Sequence, residues 1–371
     1  MSSSIDPVEL ASALIACPSI TPAGGAVFDV LERALKPLGF EVHRFVAGEV
    51  ENMFATRGSG SPHFAFAGHL DVVPPGEGWS GDPFVPEVRG GLLYGRGAVD
   101  MKGGIAAFVA AAAEVAKHRG TLSLLITGDE EGPAVHGTRA IMAWMAQRGI
   151  RPDMIVIGEP TSEARLGDTV KIGRRGTVNM WITGPGLQGH VAYPHRADNP
   201  VPRLARVVAA LDSLHLDDGT EAFQASNLEF TAVGTPTEAT NIIPGAATAQ
   251  LNIRFNNLHR GDALIERVRE IAAGAAPGAT VEAKVSGEAF LTPPGPLYTL
   301  VTEAIREETG VEPALSTSGG TSDGRFLIEL CPVVDFGLPN ATMHKLDEAA
   351  AVDDIRALAR IYARIVRAAL G

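Results

Sequence analysis

Five residues with metal-binding side chains are spread over this sequence of 371 residues, and each of them follows an apolar stretch. Two are histidines and three are carboxylates, a mixed set that suits zinc or a related borderline metal. A single histidine or acid at the end of a strand is more often an ordinary polar terminus, so the prediction of a metal site depends on the whole set. The predicted ligands are His69, Asp100, Glu131, Glu159 and His344.

The charges of these side chains favour two metal ions. Two Zn²⁺ ions carry four positive charges, and the three carboxylates of the set balance three of them. Asp100 lies alone on a glycine-rich loop. It is therefore the carboxylate that we expect to bridge both ions, at the separation of about 3.5–4 Å found in two-metal hydrolases.

Two further acidic residues lie beside the predicted ligands. Asp71 follows His69 by two residues on an extended chain, and we expect its side chain to reach back and orient the imidazole. Glu130 precedes Glu131 and is left without a metal. It is a candidate general base, which would take a proton from water and pass it to a leaving amine.

Apolar segments of strand length alternate with helical segments in the first half of the chain. Strands are predicted at His63–Gly68, Thr121–Thr127 and Met154–Ile157, and an alanine-rich helix at Gly103–Lys117. This alternation is typical of α/β proteins, in which helices cover both faces of a mostly parallel sheet. Ligands bind at the carboxyl ends of such strands, where four of the acidic and histidine residues named above are expected.

The pattern changes after Gly176. Strands and helices between Thr177 and Val285 are predicted in the order β-α-β-β-α-β, which is the ferredoxin-like order. Alternation of helix and strand then resumes after a proline-rich linker, Leu291–Pro296. We therefore expect a discontinuous catalytic domain formed by residues 1–176 and 290–371, with a small α+β domain inserted at residues 177–289.

Bulk properties exclude several classes of partner. The net charge is −12 and there is no block of lysine or arginine, which argues against a nucleic-acid or membrane-surface partner. No apolar run reaches the roughly 18 residues that a membrane span requires. The first residues, Met1–Pro7, lack the basic and apolar regions of a secretory leader, and Cys17 and Cys331 do not form a CxxC motif. A reducing cytoplasm is the expected location.

These residues and their flanking motifs resemble the di-zinc aminoacylase/carboxypeptidase family of metallohydrolases. The resemblance implies an amide hydrolase with two Zn²⁺ ions, for which Co²⁺ is an alternative metal. It also implies that His69 and Glu159 hold one ion, that Glu131 and His344 hold the other, and that Asp100 is shared. The motifs that carry the resemblance are Gly68–Pro74, Leu93–Gly103, Asp129–Glu131, Gly158–Pro160 and Met343–Lys345.

Other motifs are similar to one branch of that family, whose members hydrolyse N-succinyl-L,L-2,6-diaminopimelate to succinate and L,L-2,6-diaminopimelate. The nearest alternative within the family is an N-acetylornithine deacetylase or a related N-acyl-amino-acid hydrolase. Leu70 departs from the threonine usual at that position, but its side chain is not a ligand. The branch motifs are Gly173–Gly176, Gly189–His195, Thr240–Pro244 and Gly319–Phe326.

The resemblance also implies a homodimer. In such a dimer His190 of the inserted domain would reach the partner subunit's site and stabilise the developing oxyanion, and Asn241 would be delivered in the same way. The small-molecule substrate carries several carboxylates, so cationic and hydrogen-bond-donating groups should bind it. The candidates are Arg175, Arg254, Gly320 and Thr321.

Two different classes of protein remain as alternatives. A serine hydrolase could use Ser322 in a G-x-S-x-G sequence, with Asp335 and His344 following in the α/β-hydrolase order. That interpretation leaves Asp100 and the Glu130–Glu131 pair unexplained. A metal-binding scaffold without turnover would not need Glu130. The G-x-G-x-x-G match at Gly184–Gly189 is discounted, because the residues after it do not open the helix that a dinucleotide site requires.

Overall fold

Alternating strands and helices build the larger of two compact units in the computed structural model, which describes residues 5–371. Residues 1–4, part of the predicted catalytic domain, lie outside the described residues. The first unit comprises the chain up to Ile172 together with Thr292–Ser316 and Ser322–Gly371. The second unit comprises Gly173–Leu291 and Thr317–Thr321.

The strands and helices are as follows. The strands are β1 (Glu41–Ala47), β2 (Val50–Gly58), β3 (His63–His69), β4 (Glu87–Arg89), β5 (Leu92–Tyr94), β6 (Thr121–Thr127), β7 (Met154–Ile157), β8 (Thr169–Lys171), β9 (Gly173–Arg174), β10 (Gly176–Pro185), β11 (Gly189–His190), β12 (Asn227–Gly234), β13 (Ile242–Ile243), β14 (Ala246–Phe255), β15 (Thr280–Gly287), β16 (Phe290–Leu291), β17 (Ala314–Ser316), β18 (Val333–Asp335) and β19 (Ala349–Ala351). The α-helices are α1 (Pro7–Ile15), α2 (Ala26–Leu35), α3 (Lys102–Glu114), α4 (Thr138–Ala146), α5 (Val201–Asp212), α6 (Gly261–Ala275), α7 (Pro296–Thr309), α8 (Gly324–Leu327) and α9 (Val352–Leu370). None of the helices within residues 5–371 combines the length and the apolar character needed to cross a membrane.

The main sheet of the first unit has the strand order β1-β2-β6-β3-β7-β18-β8-β17. Its centre, β6-β3-β7-β18, is parallel, so the predicted mostly parallel α/β sheet is confirmed. The long strand β2 was not predicted. It runs antiparallel to both neighbours, and polar residues such as Glu51, Asn52 and Arg57 interrupt its apolar pattern.

Helices cover both faces of this sheet because successive side chains of a strand point to opposite faces. On one face the ring of Phe66 from β3 stacks on Phe108 of α3 with centroids 4.1 Å apart, and Tyr362 of α9 meets Phe108 edge-on. On the other face Ala65 of β3 shares a buried cluster with Ile141 of α4. The buried core therefore continues to the edge where β3, β6 and β7 end.

Helix α3 packs unusually close to the end of β7. A Cβ atom at Gly104 would lie 2.7 Å from the carbonyl oxygen of Gly158, so any larger residue would force the helix away. Gly158 directly precedes Glu159, and α3 begins two residues after Asp100. The glycine thus keeps two of the predicted ligands near each other.

The second unit contains a sheet with the order β12-β14-β10-β15, in which each pair of neighbours is antiparallel. Helices α5 and α6 pack on one face and bury Leu204, Val207, Leu264 and Val268. Along the chain these elements follow the order β10-α5-β12-β14-α6-β15, as predicted. Strand β12 lies at the edge of the sheet and is largely exposed.

A single carboxylate organises one loop of the second unit. Asp217 accepts hydrogen bonds from the amides of Gly219 and Ser226, the side-chain amide of Asn256 and Nε2 of His259.

Asp217→Asn would place an NH₂ group against some of these donors and leave buried donors without an acceptor. We expect a loss of about 2 kcal/mol in the free energy of unfolding, measured by urea denaturation.

This loss should depend on pH. Burial alone would raise the pKa of Asp217, but its hydrogen bonds from Ser226, Gly219, Asn256 and His259 hold that pKa below its ordinary value. The carboxylate therefore stabilises the fold fully above about pH 4, and its contribution declines as the pH falls towards the folded-state pKa. The exposed Asp262→Asn, in the same unit, is the control, and an equal effect of both substitutions would contradict the prediction.

Candidate metal and catalytic site

Three neighbouring parallel strands bring four of the sequence-predicted residues to one edge of the main sheet. His69 is the last residue of β3, Glu130 and Glu131 follow β6, and Glu159 follows β7. Because β6, β3 and β7 are parallel neighbours, their carboxyl ends are adjacent. Residues separated by up to 90 positions in the sequence thereby become neighbours, as is usual for ligand sites of α/β sheets.

Loops supply the two remaining predicted ligands. Asp100 lies in the turn between β5 and α3 and is 5% exposed. His344 lies in the loop between β18 and β19, with a backbone φ of 59° in the left-handed region. Non-glycine residues are uncommon in that region, and when they occur the surrounding structure holds them there.

Asp100 directs one carboxylate oxygen to each of two histidines. Its Oδ1 lies 3.1 Å from Nε2 of His69, and its Oδ2 lies 3.2 Å from Nε2 of His344. The second histidine also contacts Oε1 of Glu131 at 2.8 Å, and the first lies 3.8 Å from Oε1 of Glu159. The structure thus brings all five predicted ligands together, with Asp100 between a His69–Glu159 pair and a His344–Glu131 pair.

The spacing of the ligand atoms is compact enough for metal ions. His69, Asp100 and Glu131 offer ligand atoms that all lie within 4.8 Å of one another, and the same holds for His69, Glu130 and Glu159. The second group places Glu130 among the potential ligands, whereas the sequence analysis assigned it to proton transfer.

Two observations favour proton transfer over metal binding as the role of Glu130. Glu131 contacts His344 and so completes the second histidine–carboxylate pair. Burial, the nearby carboxylate of Asp323 and that of Glu131 raise the pKa of Glu130 well above its ordinary value, although His69 and Arg325 oppose this. A carboxyl group with a raised pKa suits a residue that takes up and releases a proton.

The electrostatics of the site fit bound cations. Burial together with Asp100 and Glu130 raises the pKa of Glu159 well above its ordinary value. Hydrogen bonds to Asp100 and Glu131 raise the pKa of His344 to about 10. The buried carboxylates oppose one another's ionisation, and two histidines lie beside them. Divalent cations bound to these groups would displace the protons and neutralise the negative charge. The residues present therefore fit a pair of metal ions.

Asp71 contacts His69 through a different atom from the one expected. The imidazole Nδ1 lies 2.9 Å from the main-chain carbonyl oxygen of Asp71, while the nearer carboxylate oxygen is 3.7 Å away. The carboxylate instead accepts hydrogen bonds from the amides of Glu130 and Glu131, at 3.2 and 3.0 Å. The hydrogen bond with His69 therefore involves the backbone of Asp71, while its carboxylate lies within ion-pair distance of the imidazole and holds the Glu130–Glu131 turn.

Asp323 lies near Glu130 and was not predicted from the sequence. It is buried, accepts a hydrogen bond from the Thr138 hydroxyl at 2.6 Å, and contributes to the raised pKa of Glu130. Its segment, Gly319–Phe326, was predicted to belong to a motif of one branch of the family, and nothing in its sequence indicates that Asp323 lies near Glu130. Only the fold reveals this proximity.

The predicted substrate-binding arginines are neighbours within the second unit. Arg254 of β14 pairs in register with Thr177 of β10 and with Asn227 of β12. Arg175 precedes β10 and donates to Oδ1 of Asn227 at 2.9 Å. Burial and the charge of Arg175 lower the pKa of Arg254. Two adjacent guanidinium groups of this kind favour an anion.

His190 and Asn241 also lie side by side in the second unit. His190 of β11 pairs with Ile242 of β13, and both His190 and Asn241 are exposed. The amide of Ala192 donates to Nδ1 of His190 at 3.0 Å, so the neutral imidazole carries its proton on Nε2. Elsewhere in this unit the carbonyl of Gly320, adjacent to Thr321, accepts from Arg174 at 3.0 Å.

The two competing sequence motifs do not have the required structure. Ser322 is 0% exposed and donates to Oδ2 of Asp335 at 2.9 Å, whereas a nucleophile elbow presents its serine to substrate. Gly184–Gly189 leads from β10 into β11, and within residues 5–371 the next α-helix, α5, begins at Val201. This segment therefore lacks the helix N-terminus of a dinucleotide site.

Known proteins resemble this chain over nearly its whole length. The sequence profile of peptidase family M20/M25/M40 matches residues 65–368. A succinyl-diaminopimelate desuccinylase of Rhizorhabdus wittichii is 62% identical over 371 residues, which cover 99% of this chain and 98% of the relative. The enzyme of the same name from Sphingopyxis alaskensis is 62% identical over 372 residues, covering 99% of both chains.

Solved structures share the fold at low sequence identity. A tripeptidase from Staphylococcus aureus superposes with a TM-score of 0.80 at 18% identity and covers 98% of both chains. A protein of Bacillus subtilis, described as a dinuclear metal binding peptidase from the M20 family, has a TM-score of 0.74 at 17% identity, covering 98% of this chain and 97% of that one. The match of the family profile and the high identity of the sequence relatives confirm the predicted family: the chain belongs to peptidase family M20/M25/M40.

Proposed function

We propose that this protein is a metal-dependent amide hydrolase that cleaves N-succinyl-L,L-2,6-diaminopimelate to succinate and L,L-2,6-diaminopimelate. The main support for metal-dependent hydrolysis is the position of Asp100. It directs one carboxylate oxygen towards each of two histidine–carboxylate pairs. The succinyl substrate is proposed because relatives 62% identical over nearly the whole chain carry the name of that activity.

Zn²⁺ is the metal we propose for both positions, with Co²⁺ as an alternative, because imidazole and carboxylate donors suit these ions. When bound, the ions supply Lewis-acid polarisation of the amide carbonyl and lower the pKa of a water molecule. His69 and Glu159 would hold one ion, His344 and Glu131 the other, and Asp100 both. The backbone carbonyl of Asp71 fixes the ring of His69, so that its Nε2 faces the site.

Glu130 moves the proton in this proposal. Its carboxylate accepts a proton from the attacking water and delivers it to the nitrogen of the leaving amine, so that the same residue serves both halves of the reaction. The backbone amides of Glu130 and Glu131 are held by the buried carboxylate of Asp71. This contact fixes the position of the base relative to the ligands.

We further propose that the second unit is the dimerisation and lid domain predicted at residues 177–289, and that the protein is a homodimer. His190 would then donate from Nε2 to the oxyanion in the partner subunit's site, with Asn241 beside it. The exposed edge strand β12 supports this, since such a strand offers unpaired backbone groups to a second chain.

We also propose a cytoplasmic location, consistent with the free thiols of Cys17 and Cys331.

We propose that Arg175 and Arg254 bind carboxylates of the substrate, together with Gly320 and Thr321. Arg254→Ala should then raise KM by about 10–100-fold, since a charge-assisted hydrogen bond contributes about 1.5–3 kcal/mol. Steady-state kinetics with the succinyl substrate would measure this change. Arg269→Ala, which removes an exposed arginine paired with Glu266, is the control. An unchanged KM in Arg254→Ala would remove this residue from the proposal.

Side-by-side values of kcat/KM on N-succinyl-L,L-2,6-diaminopimelate and N-acetylornithine test the proposed substrate. We expect the succinyl compound to be strongly preferred. Faster turnover of the acetyl compound would overturn the named substrate and favour the deacetylase.

A chelator should abolish the activity and added Zn²⁺ should restore it, whereas inactivation by a fluorophosphonate would support the serine-hydrolase alternative instead.

A further inference from the structure

Glu348 is a buried carboxylate that has no part in the proposed reaction. It is 0% exposed, lies just before β19, and adjoins the turn that carries Asp100. The neighbouring strands β19 and β5 are paired, and the carbonyl of Glu348 accepts from the amide of Gly95 at 3.0 Å. Both the backbone and the side chain of Glu348 therefore contact the Asp100 turn.

Four donors converge on the Glu348 carboxylate. Its Oε1 accepts from the amides of Val99 and Asp100, at 2.8 and 3.0 Å. Its Oε2 accepts from the amide of Gly97 and from Nη1 of Arg96, at 3.0 and 2.8 Å. A carboxylate can satisfy both pairs of donors at once. An amide cannot, because its NH₂ group would face one of the two pairs.

Arg96 extends this contact to the loop of His344. It is 2% exposed, and besides Glu348 it donates from Nη1 to the carbonyl of Lys345 at 3.3 Å. Its Nη2 donates to the carbonyl of Pro75 at 3.1 Å. Lys345 directly follows His344 in the sequence. One buried ion pair thus holds the backbone at Asp100 and the backbone next to His344.

We propose that Glu348 and Arg96 are positioning residues, which fix the loops of Asp100 and His344 relative to each other so that both oxygens of Asp100 face their histidines. This inference rests on the proposed metal site. An ion pair with a purely structural role would stabilise the fold without affecting metal binding. Measured metal affinity therefore distinguishes a positioning role from a structural one.

Glu348→Gln tests the proposal. Metal-free protein would be titrated with Zn²⁺ by calorimetry, and the visible spectrum of the Co²⁺-loaded protein would report the ligand geometry. We expect metal affinity to fall by about 10–100-fold, as is typical when partners of ligand residues are removed, together with an altered Co²⁺ spectrum. Wild-type affinity and an unchanged spectrum would overturn the proposal.

Glu308→Gln is the matched control. Glu308 is 13% exposed and pairs with Arg360 and Arg364 of α9, away from the metal-ligand loops. We expect this variant to lower the Tm of the metal-free protein while metal affinity and the Co²⁺ spectrum stay unchanged. If both variants weakened metal binding equally, the effect would reflect general stability and the proposal would be wrong.

Arg96→Lys decides the question if Glu348→Gln does not fold. A lysine keeps the charge opposite Glu348, but its single ammonium group cannot reach the carbonyls of both Lys345 and Pro75. We expect binding of one of the two metal ions to weaken by about 10-fold or more. Binding of both ions with wild-type affinity would overturn the proposal. These readouts do not depend on the identity of the substrate, so failure here and failure of the proposed function are distinguishable.

Discussion

Replacement of Glu130 by glutamine is expected to lower kcat by about 10²–10⁴-fold while two metal ions remain bound. The amide keeps the size of the side chain and cannot take up the proton. Burial and Asp323 raise the pKa of the native carboxyl group, which fits a group that holds a proton between the two halves of the reaction. The release of succinate and the metal content of the same sample would be measured together.

Glu131→Gln, one residue further along, is the matched comparison. Its carboxylate contacts His344 at 2.8 Å, so we expect this variant to lose affinity for the metal held with that histidine. Glu130→Gln should lose turnover without losing metal. Full turnover in a metal-loaded Glu130→Gln protein would remove Glu130 as the base and show that the hydrolase uses another base.

Asp100→Ala is expected to weaken both metal sites together. Each oxygen of Asp100 lies beside a different histidine, at 3.1 and 3.2 Å, so its removal takes one ligand from each site. The loss of affinity should exceed the roughly 100-fold that follows removal of a partner outside the metal's own ligands. Elemental analysis after gel filtration and calorimetric titration with Zn²⁺ would measure it.

Glu159→Ala provides the contrast for this variant. Glu159 lies near His69 at 3.8 Å, and we expect its loss to weaken one site while the other retains its ion. Selective loss of a single ion from Asp100→Ala would show that Asp100 belongs to one site and not to both.

The strand-end residues were predictable because parallel strands place their carboxyl ends at one edge. Apolar runs before His69, Glu131 and Glu159 were sufficient for that prediction, and β3, β6 and β7 are indeed adjacent. Asp100 and His344 lie on loops, whose conformations periodicity does not determine. Their inclusion depended on residue chemistry and on the family resemblance.

Other features depend on tertiary contacts that could not be predicted from the sequence. Strand β2 contains polar positions, among them the buried Asn52, whose side-chain amide donates to the carbonyl of His136 at 2.9 Å. The Asp71 carboxylate lies 3.7 Å from His69, but the two backbone amides that the turn after β6 brings to it were not predicted. The segment around Glu348 has no sequence pattern that predicts its contacts. Four hydrogen-bond donors reach its carboxylate because β19 pairs with β5.

The metal centre itself is tested most directly by anomalous diffraction from a crystal loaded with Zn²⁺. We expect two anomalous peaks about 3.5–4 Å apart. One should lie beside His69 and Glu159, the other beside His344 and Glu131, with one oxygen of Asp100 about 2.0–2.2 Å from each. A single peak, or two peaks that do not share Asp100, would contradict this account of the site.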